Sequence, residues 1–467
     1  MYSPRIVIVG AGFGGISAAV ELRRHGFEDI TILERAPDLG GTWFYNSYPG
    51  AACDVPSHLY SFSYEQRSDW SRLCSPQQEI LHYLRSVADS RGVSDAIRFS
   101  QPVSECTFDP CGRRWTVETE SGSSYDADML IVATGQLSRP WIPSLPGLER
   151  YAGHSFHSAR WDHGYDLAGR RVAVVGTGAS AVQFVPEIAR RVAHLTVFQR
   201  TGNWFLPRHN RVYSPLVRAA IRRIPGLQQL RRAVLFQYCE SLTLAIRHPR
   251  TVGRLVGWRS AGFMRRQVPD RALRRRAWPD YAFGCKRILF SSHYLPTLSR
   301  PHVTLVTEPI QEVSATGLRT ADGRLHELDC IIWATGFKAT EFVAPMRVHG
   351  AGGQALEDVW SDGAHAHLGM CVPGFPSMFL MYGPNTNTSG GSIIFYLEAQ
   401  ASYIRQALEH VRAGGHRTVE VRPEWRRPPT TNCRRGLPEP RGPAVTRGTA
   451  TGAAGSWPTG RGTCAST

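Results

Sequence analysis

The chain has 467 residues, a formal net charge of +16 and 20% charged residues, which favours two or three domains of ordinary globular composition. It contains no run of 18 or more apolar residues, which argues against a membrane-spanning helix. The chain enters a strand pattern at once and lacks the regions of a secretory signal. Its ten cysteines lack the regular spacing that is typical of a disulfide framework, so we expect reduced thiols and a cytoplasmic location.

The positive charge is concentrated in two segments. Residues 204–280 contain 17 arginines and three acidic residues, and residues 423–467 contain seven arginines and two glutamates. The remainder is close to neutral and no nucleic-acid-binding motif accompanies the charge, so we expect no nucleic acid partner. We interpret the first segment as a solvated helical face, while contact with a membrane surface or another subunit stays open.

Two segments of the chain follow the same order of strand, glycine-rich turn and helix. Residues 5–9 and 171–175 are runs rich in β-branched residues that predict buried parallel strands, and a helical pattern follows each glycine turn. A second apolar strand comes after each helix, at residues 30–33 and 195–198. These two βαβ units predict an α/β fold with two Rossmann-like dinucleotide-binding domains.

The first glycine turn reads Gly10-x-Gly12-x-x-Gly15, directly between a strand and a helix. In that setting the glycines allow a tight turn, a close approach of a pyrophosphate and close helix packing. Glu34 ends the second strand, 24 residues after Gly10, where its carboxylate can accept hydrogen bonds from ribose hydroxyls. The residues that we expect to bind a dinucleotide here are Gly10, Gly12, Phe13, Gly14, Gly15 and Glu34.

The second glycine turn is followed by an arginine where the first is followed by a carboxylate. Arg200 lies 24 residues after Gly176, and Thr201 adds a hydroxyl donor. A carboxylate repels a 2′-phosphate whereas an arginine pairs with it, so the first site suits a free ribose and the second suits NADP. The residues that we expect to bind this second dinucleotide are Gly176, Thr177, Gly178, Ala179, Ser180, Ala181, Gln183, Arg200 and Thr201.

The rest of the chain contains an insert, further strands and an atypical tail. A helical pattern fills an arginine-rich insert at about residues 205–280, strands return at residues 302–306 and 329–333, and a long helix is predicted over residues 392–411. Residues 423–467 contain almost no branched aliphatic side chains, so burial cannot offset their ordering entropy and we expect disorder there.

Two dinucleotide-binding domains in this order resemble the two-dinucleotide flavoproteins, which bind FAD first and NADPH second. The sequence Ala-Thr-Gly follows a predicted strand twice, at residues 133–135 and 334–336. These positions look like the strand ends at which such chains cross between domains. The resemblance therefore implies FAD and NADPH as cofactors.

Residues 151–162 are similar to the fingerprint of the Baeyer–Villiger monooxygenases, Phe-x-Gly-x-x-x-His-x-x-x-Trp followed by Pro or Asp. His157, Trp161 and Asp162 match the fingerprint, and Tyr151 replaces the usual Phe. Because the fingerprint lies in a predicted linker between the domains, we interpret His157 as a structural or hinge residue.

Three further stretches resemble this family. They are Gly40-Gly41-Thr42-Trp43 with Cys53-Asp54, Gly284-Cys285-Lys286-Arg287, and Gly383-Pro384-Asn385-Thr386-Asn387. The last looks most like the 4-hydroxyacetophenone monooxygenase-like branch of the flavin-containing monooxygenases. The resemblance covers roughly residues 4–422 and stops before the tail.

The resemblance also implies a division of the chain into domains. Residues 1–150 form the first part of an FAD-binding domain, residues 151–165 a linker with the fingerprint, and residues 166–338 an NADP-binding domain with the insert. Residues 339–422 complete the FAD-binding domain, and residues 423–467 form the atypical tail.

The activity implied is that of an FAD-containing, NADPH- and O2-dependent monooxygenase that converts a ketone to an ester or lactone through a C4a-peroxyflavin. Arg287 matches the arginine that stabilises negative charge at the flavin, and Asp54 matches the carboxylate that orients it. These two are the predicted catalytic residues, and no metal site is predicted.

Lys286 matches a contact to the NADP phosphate. The other residues carried over to cofactor contacts are Thr42, Trp43, Asp54 and Tyr60 at the flavin, Val103 at the adenine and Gln136 near flavin and nicotinamide.

Two alternatives stay open. The same scaffold serves N- and S-oxygenating flavin monooxygenases. A flavin-binding but inactive homologue is the second alternative, because members of the family usually continue with a folded C-terminal segment near the active site. The sequence predicts neither the particular ketone nor the oligomeric state.

Overall fold

A computed structural model of the chain describes residues 3–386, 391–422 and 424, with only the backbone of Ile246. The predicted disorder of the tail and the family residue Asn387 lie outside the described residues, apart from Glu424. The described chain contains two five-stranded parallel sheets. This architecture confirms the predicted α/β fold with two Rossmann-like domains.

The first parallel sheet combines four strands from the N-terminal third of the chain with one strand from near its C-terminus. Its strands, in spatial order, are Met378–Leu380, Met129–Val132, Ile6–Val9, Ile30–Leu33 and Ile97–Arg98. The helices Phe13–Arg23, Gln77–Ser90 and Ile393–Ala413 share one apolar core with this sheet. Ser392 caps the last helix by accepting a hydrogen bond from the N–H group of Ile394, close to the predicted start.

A mixed sheet covers the other face of the first parallel sheet. Its strands, in order, are Arg347–His349, Val103–Asp109, Arg114–Thr119 and Ser124–Ala127. Apolar residues of both sheets, including Val7, Leu130, Trp115 and Val117, form one buried core. The short helix Leu356–Val359 contributes Leu356 to the same core.

The second parallel sheet carries the second glycine turn. Its strands, in order, are Val303–Val306, His194–Phe198, Arg171–Val175, Cys330–Trp333 and His154–His157. The helices Ala179–Ile188 and Tyr294–Leu298 pack on it, and an antiparallel sheet of Ile310–Ser314, Gly317–Thr320 and Leu325–Glu327 follows in the chain. Residues 154–157 of the predicted linker thus form an edge strand, because they pair in register with residues 330–333.

The arginine-rich insert is helical, as the spacing of its apolar residues predicts. Its helices are Pro215–Arg223, Leu227–Arg247, Val252–Gln267 and Arg271–Ala277, between the paired strands Phe205–Leu206 and Leu289–Phe290. The shorter elements of the described chain are the helix Thr42–Tyr45 and the 3-10 turns Ser94–Ala96, Leu148–Arg150 and Ser158–Arg160.

Three properties of the described residues bear on the sequence predictions. None of their helices is long and apolar enough to cross a membrane. They contain no group of three or more potential metal ligands that could hold a metal ion. The free cysteines are Cys53, Cys74, Cys106, Cys111, Cys239, Cys330 and Cys371. Cys285 is disulfide-bonded, so the expectation of reduced thiols is wrong at Cys285 and is confirmed at these seven positions.

Candidate active site

The first glycine turn leads into the helix Phe13–Arg23. Gly10 has a φ of 107°, and a Cβ added there would lie 2.7 Å from the carbonyl oxygen of Ala133. A Cβ added at Gly15 would lie 1.9 Å from the Gly10 carbonyl oxygen. Gly12 is the N-cap of the helix, and no side chain among the described residues caps it. The turn therefore leaves helix N–H groups available for a phosphate.

The carboxylate of Glu34 lies beside this turn. It is 4% exposed, and its oxygens accept hydrogen bonds from the N–H groups of Ala11 at 2.7 Å and Ala36 at 2.9 Å. Burial raises the pKa of the Glu34 carboxyl, and the two N–H groups oppose that shift. Each carboxylate oxygen can still accept a second hydrogen bond, so the position fits the predicted ribose contact.

An aromatic cluster stands next to the first glycine turn. The indole N–H of Trp43 donates to the Tyr60 hydroxyl at 3.1 Å, and the Phe13 ring centre lies 5.1 Å from that of Tyr60. Thr42 begins the short helix here and is exposed, whereas Gly14 packs against Met381 inside the domain. Burial raises the pKa of the Tyr60 hydroxyl, so Tyr60 remains a neutral hydrogen-bonding group.

The second glycine turn has the same geometry as the first. Gly176 has a φ of 109°, and an added Cβ would lie 2.4 Å from the carbonyl oxygen of Ala334. Gly178 is the N-cap of the helix Ala179–Ile188, and a Cβ added there would meet nothing within 4 Å. Of the other predicted residues in this motif, Ala179 is exposed, Ser180 is half-buried and Thr177 and Ala181 are buried.

Asn203 supports the second glycine turn, and sequence analysis missed it. Its side-chain amide donates to the carbonyl oxygen of Thr177 at 2.8 Å. Thr177 in turn donates from its hydroxyl to the carbonyl oxygen of Thr201 at 3.4 Å. A single asparagine three residues after Arg200 carries no recognisable pattern, because its partner lies on a neighbouring strand end.

Arg200 and Thr201 line a cavity of about 580 Å³. Arg275 and Arg276, on the helix Arg271–Ala277, line the same cavity. The sequence predicted a solvated helical face for the insert, and both arginines are exposed. They also line a cavity with Arg200, because the insert folds back against the end of the second sheet.

The predicted catalytic pair is formed in the structure. Nη2 of Arg287 lies 2.9 Å from Oδ1 and 2.6 Å from Oδ2 of Asp54. The Asp54 carboxylate raises the pKa of the Arg287 guanidinium. The Arg287 side chain is 59% exposed, so the pair is open to solvent on the arginine side. Nε and Nη1 of Arg287 make no hydrogen bond to other described residues, which leaves them available for an anion.

Gln183 holds the loop that carries Asp54. Its Oε1 accepts from the Tyr48 hydroxyl at 3.0 Å and from the Ala52 N–H at 3.3 Å, and its Nε2 donates to the Ala52 carbonyl at 2.8 Å. The sequence predicted Gln183 as a cofactor contact, and this stays a prediction. In the structure its amide connects the first helix of the second domain to a loop of the first domain.

Two further residues that tie the first domain to the second were not predicted. Nη2 of Arg208 donates to the Cys53 carbonyl at 2.7 Å. The side-chain amide of Asn210 accepts from the Cys74 N–H at 2.9 Å and donates to the Cys74 carbonyl at 2.8 Å. Both contacts join segments more than 130 residues apart, so no local sequence signal could have marked them.

Gln136 and Val103 lie inside the first domain. Gln136 is 8% exposed, and its Nε2 donates to the carbonyl oxygens of Tyr382 at 3.2 Å and Gly383 at 3.4 Å. Val103 belongs to the core between the first parallel sheet and the mixed sheet. Gln136 therefore fixes the main chain at Tyr382 and Gly383. The contact of Val103 with an adenine stays a prediction.

Lys286 and His157 lie apart from the Arg200 cavity. Nζ of Lys286 lies 4.6 Å from the centre of the Tyr281 ring.

His157 ends the edge strand of the second sheet, accepts a hydrogen bond from the Ala159 N–H at 3.1 Å and contacts the Phe337 ring. Burial lowers the pKa of His157 to about 4, so the imidazole is neutral near pH 7. Its position at the end of the edge strand, against the Phe337 ring, agrees with a structural role.

Comparison with known proteins identifies the family. A family model described as Pyridine nucleotide-disulphide oxidoreductase matches residues 7–231. A Baeyer–Villiger monooxygenase of Streptomyces coelicolor is 44% identical over 421 residues, which span 90% of this chain and 81% of that protein. The chain belongs to the Baeyer–Villiger monooxygenase family. It is therefore an NADPH-dependent flavin monooxygenase.

Solved structures of Baeyer–Villiger monooxygenases share the fold. The open crystal structure of cyclohexanone monooxygenase has a TM-score of 0.81 and 29% identity, covering 91% of each chain. A crystal structure of OTEMO in complex with FAD and NADP has a TM-score of 0.81 and 28% identity, covering 91% of this chain and 89% of that one. FAD and NADP are thus the cofactors bound by this fold.

The residues present in this Baeyer–Villiger monooxygenase fit both dinucleotides. Within the described chain both helix N-termini after the glycine turns lack a side-chain cap. The space above Gly178 is open, and a Cβ added at Gly12 would meet nothing closer than 3.7 Å. That Glu34 selects a free ribose and Arg200 a phosphorylated one stays a prediction.

Proposed function

We propose that the protein oxidises a ketone to an ester or lactone, consuming NADPH and O2, beside the Arg287–Asp54 ion pair. The observation that carries this proposal is the unbonded side of the Arg287 guanidinium, which Asp54 holds at the junction of the two domains. A fixed cation is what a reaction that develops negative charge on oxygen requires.

FAD, when bound, accepts a hydride from NADPH and activates dioxygen. We propose that residues 1–150 and 339–422 hold FAD, with its pyrophosphate above the first glycine turn and its ribose on Glu34. The other residues proposed to contact FAD are Thr42, Trp43, Tyr60, Val103 and Gln136. Residues 166–338 are proposed to hold NADPH, with Arg200, Thr201 and Lys286 directed to its phosphates.

Arg287 is proposed to stabilise the carbonyl oxygen of the ketone as that oxygen gains negative charge. The guanidinium stays protonated, because the adjacent Asp54 carboxylate raises its pKa. Its Nε–H and Nη1–H groups are free to donate, while Nη2 is bonded to Asp54. Asp54 therefore acts as the residue that positions the cation.

The substrate is proposed to be an aryl ketone. Support comes from the sequence Gly383-Pro384-Asn385-Thr386, which resembles the 4-hydroxyacetophenone branch. The carbonyl oxygen of Gly383 accepts a hydrogen bond from Gln136, a residue predicted to lie near the flavin. The cytoplasmic location predicted from the sequence also stays a prediction.

The deciding experiment supplies the purified yellow protein with NADPH, O2 and a panel of aryl ketones, cyclic ketones, amines and sulfides. We expect ester formation from an aryl ketone, measured by gas chromatography, in proportion to NADPH consumed. Oxygenation of amines or sulfides without any ester would favour the alternative N- or S-oxygenating activity. Flavin binding without either product would favour an inactive homologue.

A further inference from the structure

The cavity beside Arg200 is formed by two elements that are far apart in the chain. One wall is the loop after the strand His194–Phe198, with Arg200 and Thr201. The other wall is the last helix of the insert and the residues after it, with Arg275, Arg276, Trp278 and Asp280. The cavity volume of about 580 Å³ is large enough for a phosphorylated ribose and part of a base.

Specific contacts fix the insert helix against this loop. Nε2 of Gln199 donates to the carbonyl oxygen of Arg276 at 2.8 Å. Nη1 of Arg276 donates to the carbonyl oxygen of Leu305, on the edge strand of the second sheet, at 3.1 Å. At Gly202 an added Cβ would lie 2.5 Å from the carbonyl oxygen of Ala277, so the helix end approaches as closely as a glycine allows.

The charge of the cavity wall is strongly positive. Three arginines, Arg200, Arg275 and Arg276, line it together with one acidic residue, Asp280. Arg275 and Arg276 are both exposed. Lys286 does not line this cavity. A dianionic phosphate is the ligand that several arginines around one cavity favour.

We propose that Arg275 and Arg276 bind the 2′-phosphate of NADPH together with Arg200. The arginine-rich insert is then part of the cofactor-selecting site, and its last helix supplies the second and third cations. This inference rests on the proposed function, in which the second domain binds NADPH beside Arg200.

Binding of two nucleotides to the purified holoenzyme tests the proposal by isothermal titration calorimetry. Adenosine 2′,5′-bisphosphate carries the 2′-phosphate, and 5′-AMP lacks it. We expect Arg275→Ala to raise the Kd for adenosine 2′,5′-bisphosphate about tenfold and to leave the Kd for 5′-AMP unchanged within about twofold, because one charged hydrogen bond is lost. Arg275→Lys keeps the charge and should lose only about threefold.

A matched control lies on the same helix. Arg271 is exposed and does not line the cavity, so Arg271→Ala changes the net charge equally and should leave both Kd values unchanged. Arg276→Ala also removes the contact to Leu305, which would mix a loss of packing with a loss of phosphate binding. The test therefore uses Arg275.

The variants at Arg200 and Arg275 separate two ways in which the proposal can fail. If Arg200→Ala weakens adenosine 2′,5′-bisphosphate but Arg275→Ala behaves like Arg271→Ala, the role of the insert is wrong and the NADPH site stands. If Arg200→Ala also leaves binding of adenosine 2′,5′-bisphosphate unchanged, the proposed NADPH site itself is wrong.

Discussion

Nη2 of Arg287 lies 2.6 Å from Oδ2 of Asp54, although 233 residues separate the two in the chain. Asp54 stands on a loop of the first domain, and Arg287 follows the insert of the second domain. The ion pair therefore exists only while the two domains keep their relative position. This geometry makes the cation of the proposed reaction dependent on the domain arrangement.

Removal of the Arg287 guanidinium should separate cofactor binding from ester formation. We expect Arg287→Ala to retain FAD, because the first glycine turn is untouched, and to lower the rate of ester formation by about 100-fold or more. Gas chromatography of the ester, together with NADPH absorbance and hydrogen peroxide release, measures the effect. Arg319→Ala, which removes an arginine paired with Glu312 on a distant hairpin, is the control. Ester formation near the normal rate in Arg287→Ala would contradict the proposed role.

Removal of the Arg200 side chain should change cofactor preference. Arg200→Ala is expected to raise KM for NADPH about tenfold to 100-fold, because a charged hydrogen bond to a phosphate is lost. KM for NADH should stay nearly unchanged, because NADH carries no 2′-phosphate. Steady-state kinetics with both cofactors measures the ratio, and equal losses would show that Arg200 does not recognise the phosphate.

Two glycines of the second turn should respond differently to alanine. Gly176→Ala places a Cβ 2.4 Å from the carbonyl oxygen of Ala334 in a left-handed conformation, so we expect a loss of roughly 2 kcal/mol or more in unfolding free energy. Gly178→Ala meets only open space in the protein and should leave that energy nearly unchanged while weakening NADPH binding. Urea unfolding and NADP+ titration distinguish the two, and equal destabilisation would refute the geometric argument.

Loss of the Gln183 amide should loosen the loop that carries Asp54. Gln183→Ala removes three hydrogen bonds to Tyr48 and Ala52, so the Arg287–Asp54 geometry becomes less fixed. We expect the ratio of hydrogen peroxide to ester to rise severalfold, with FAD content unchanged. Glu187→Ala, one turn further along the same helix at a half-exposed position, provides the comparison and should keep the normal ratio.

The buried His58 should make stability depend on pH. Both its ring nitrogens lack hydrogen-bond partners among the described residues, and burial, with the charges of Arg231 and Arg232, lowers the pKa of His58 to about 4. In the unfolded chain the histidine has a pKa of 6.5. Between about pH 4 and pH 6.5 the unfolded chain therefore binds more protons at this residue than the folded chain does. The unfolding free energy should fall as pH falls through this window, and the contribution of His58 should be constant above it.

His58→Phe should weaken this dependence. Between pH 7 and pH 5 we expect the wild-type protein to lose about 1 to 2 kcal/mol more than the variant. Urea unfolding at both pH values measures the difference, with His209→Phe at an exposed position as the reference. An identical pH dependence in wild type and His58→Phe would mean that His58 is not protonated on unfolding in this range.

The local parts of the candidate site were predictable from the sequence. Gly10 and Gly176 could be recognised because a strand, a tight turn and a helix follow one another within about twenty residues, and a turn at positive φ demands glycine there. Glu34 and Arg200 followed from the same argument, because the end of the second strand lies beside the turn in every such unit. Family resemblance then selected Asp54 and Arg287.

The sequence by itself thus determined the two glycine turns, the α/β class and the charge expected at each ribose site, because these depend on backbone contacts between near neighbours in the chain. Tertiary structure alone decided that Gln183 holds the Asp54 loop and that Arg275 lines the same cavity as Arg200. Those contacts arise where the insert and the two domains pack together, and packing between distant segments depends on shape and burial that no local periodicity records. Charge composition therefore predicted an arginine-rich insert but could not show that one of its arginines lines the cavity beside Arg200.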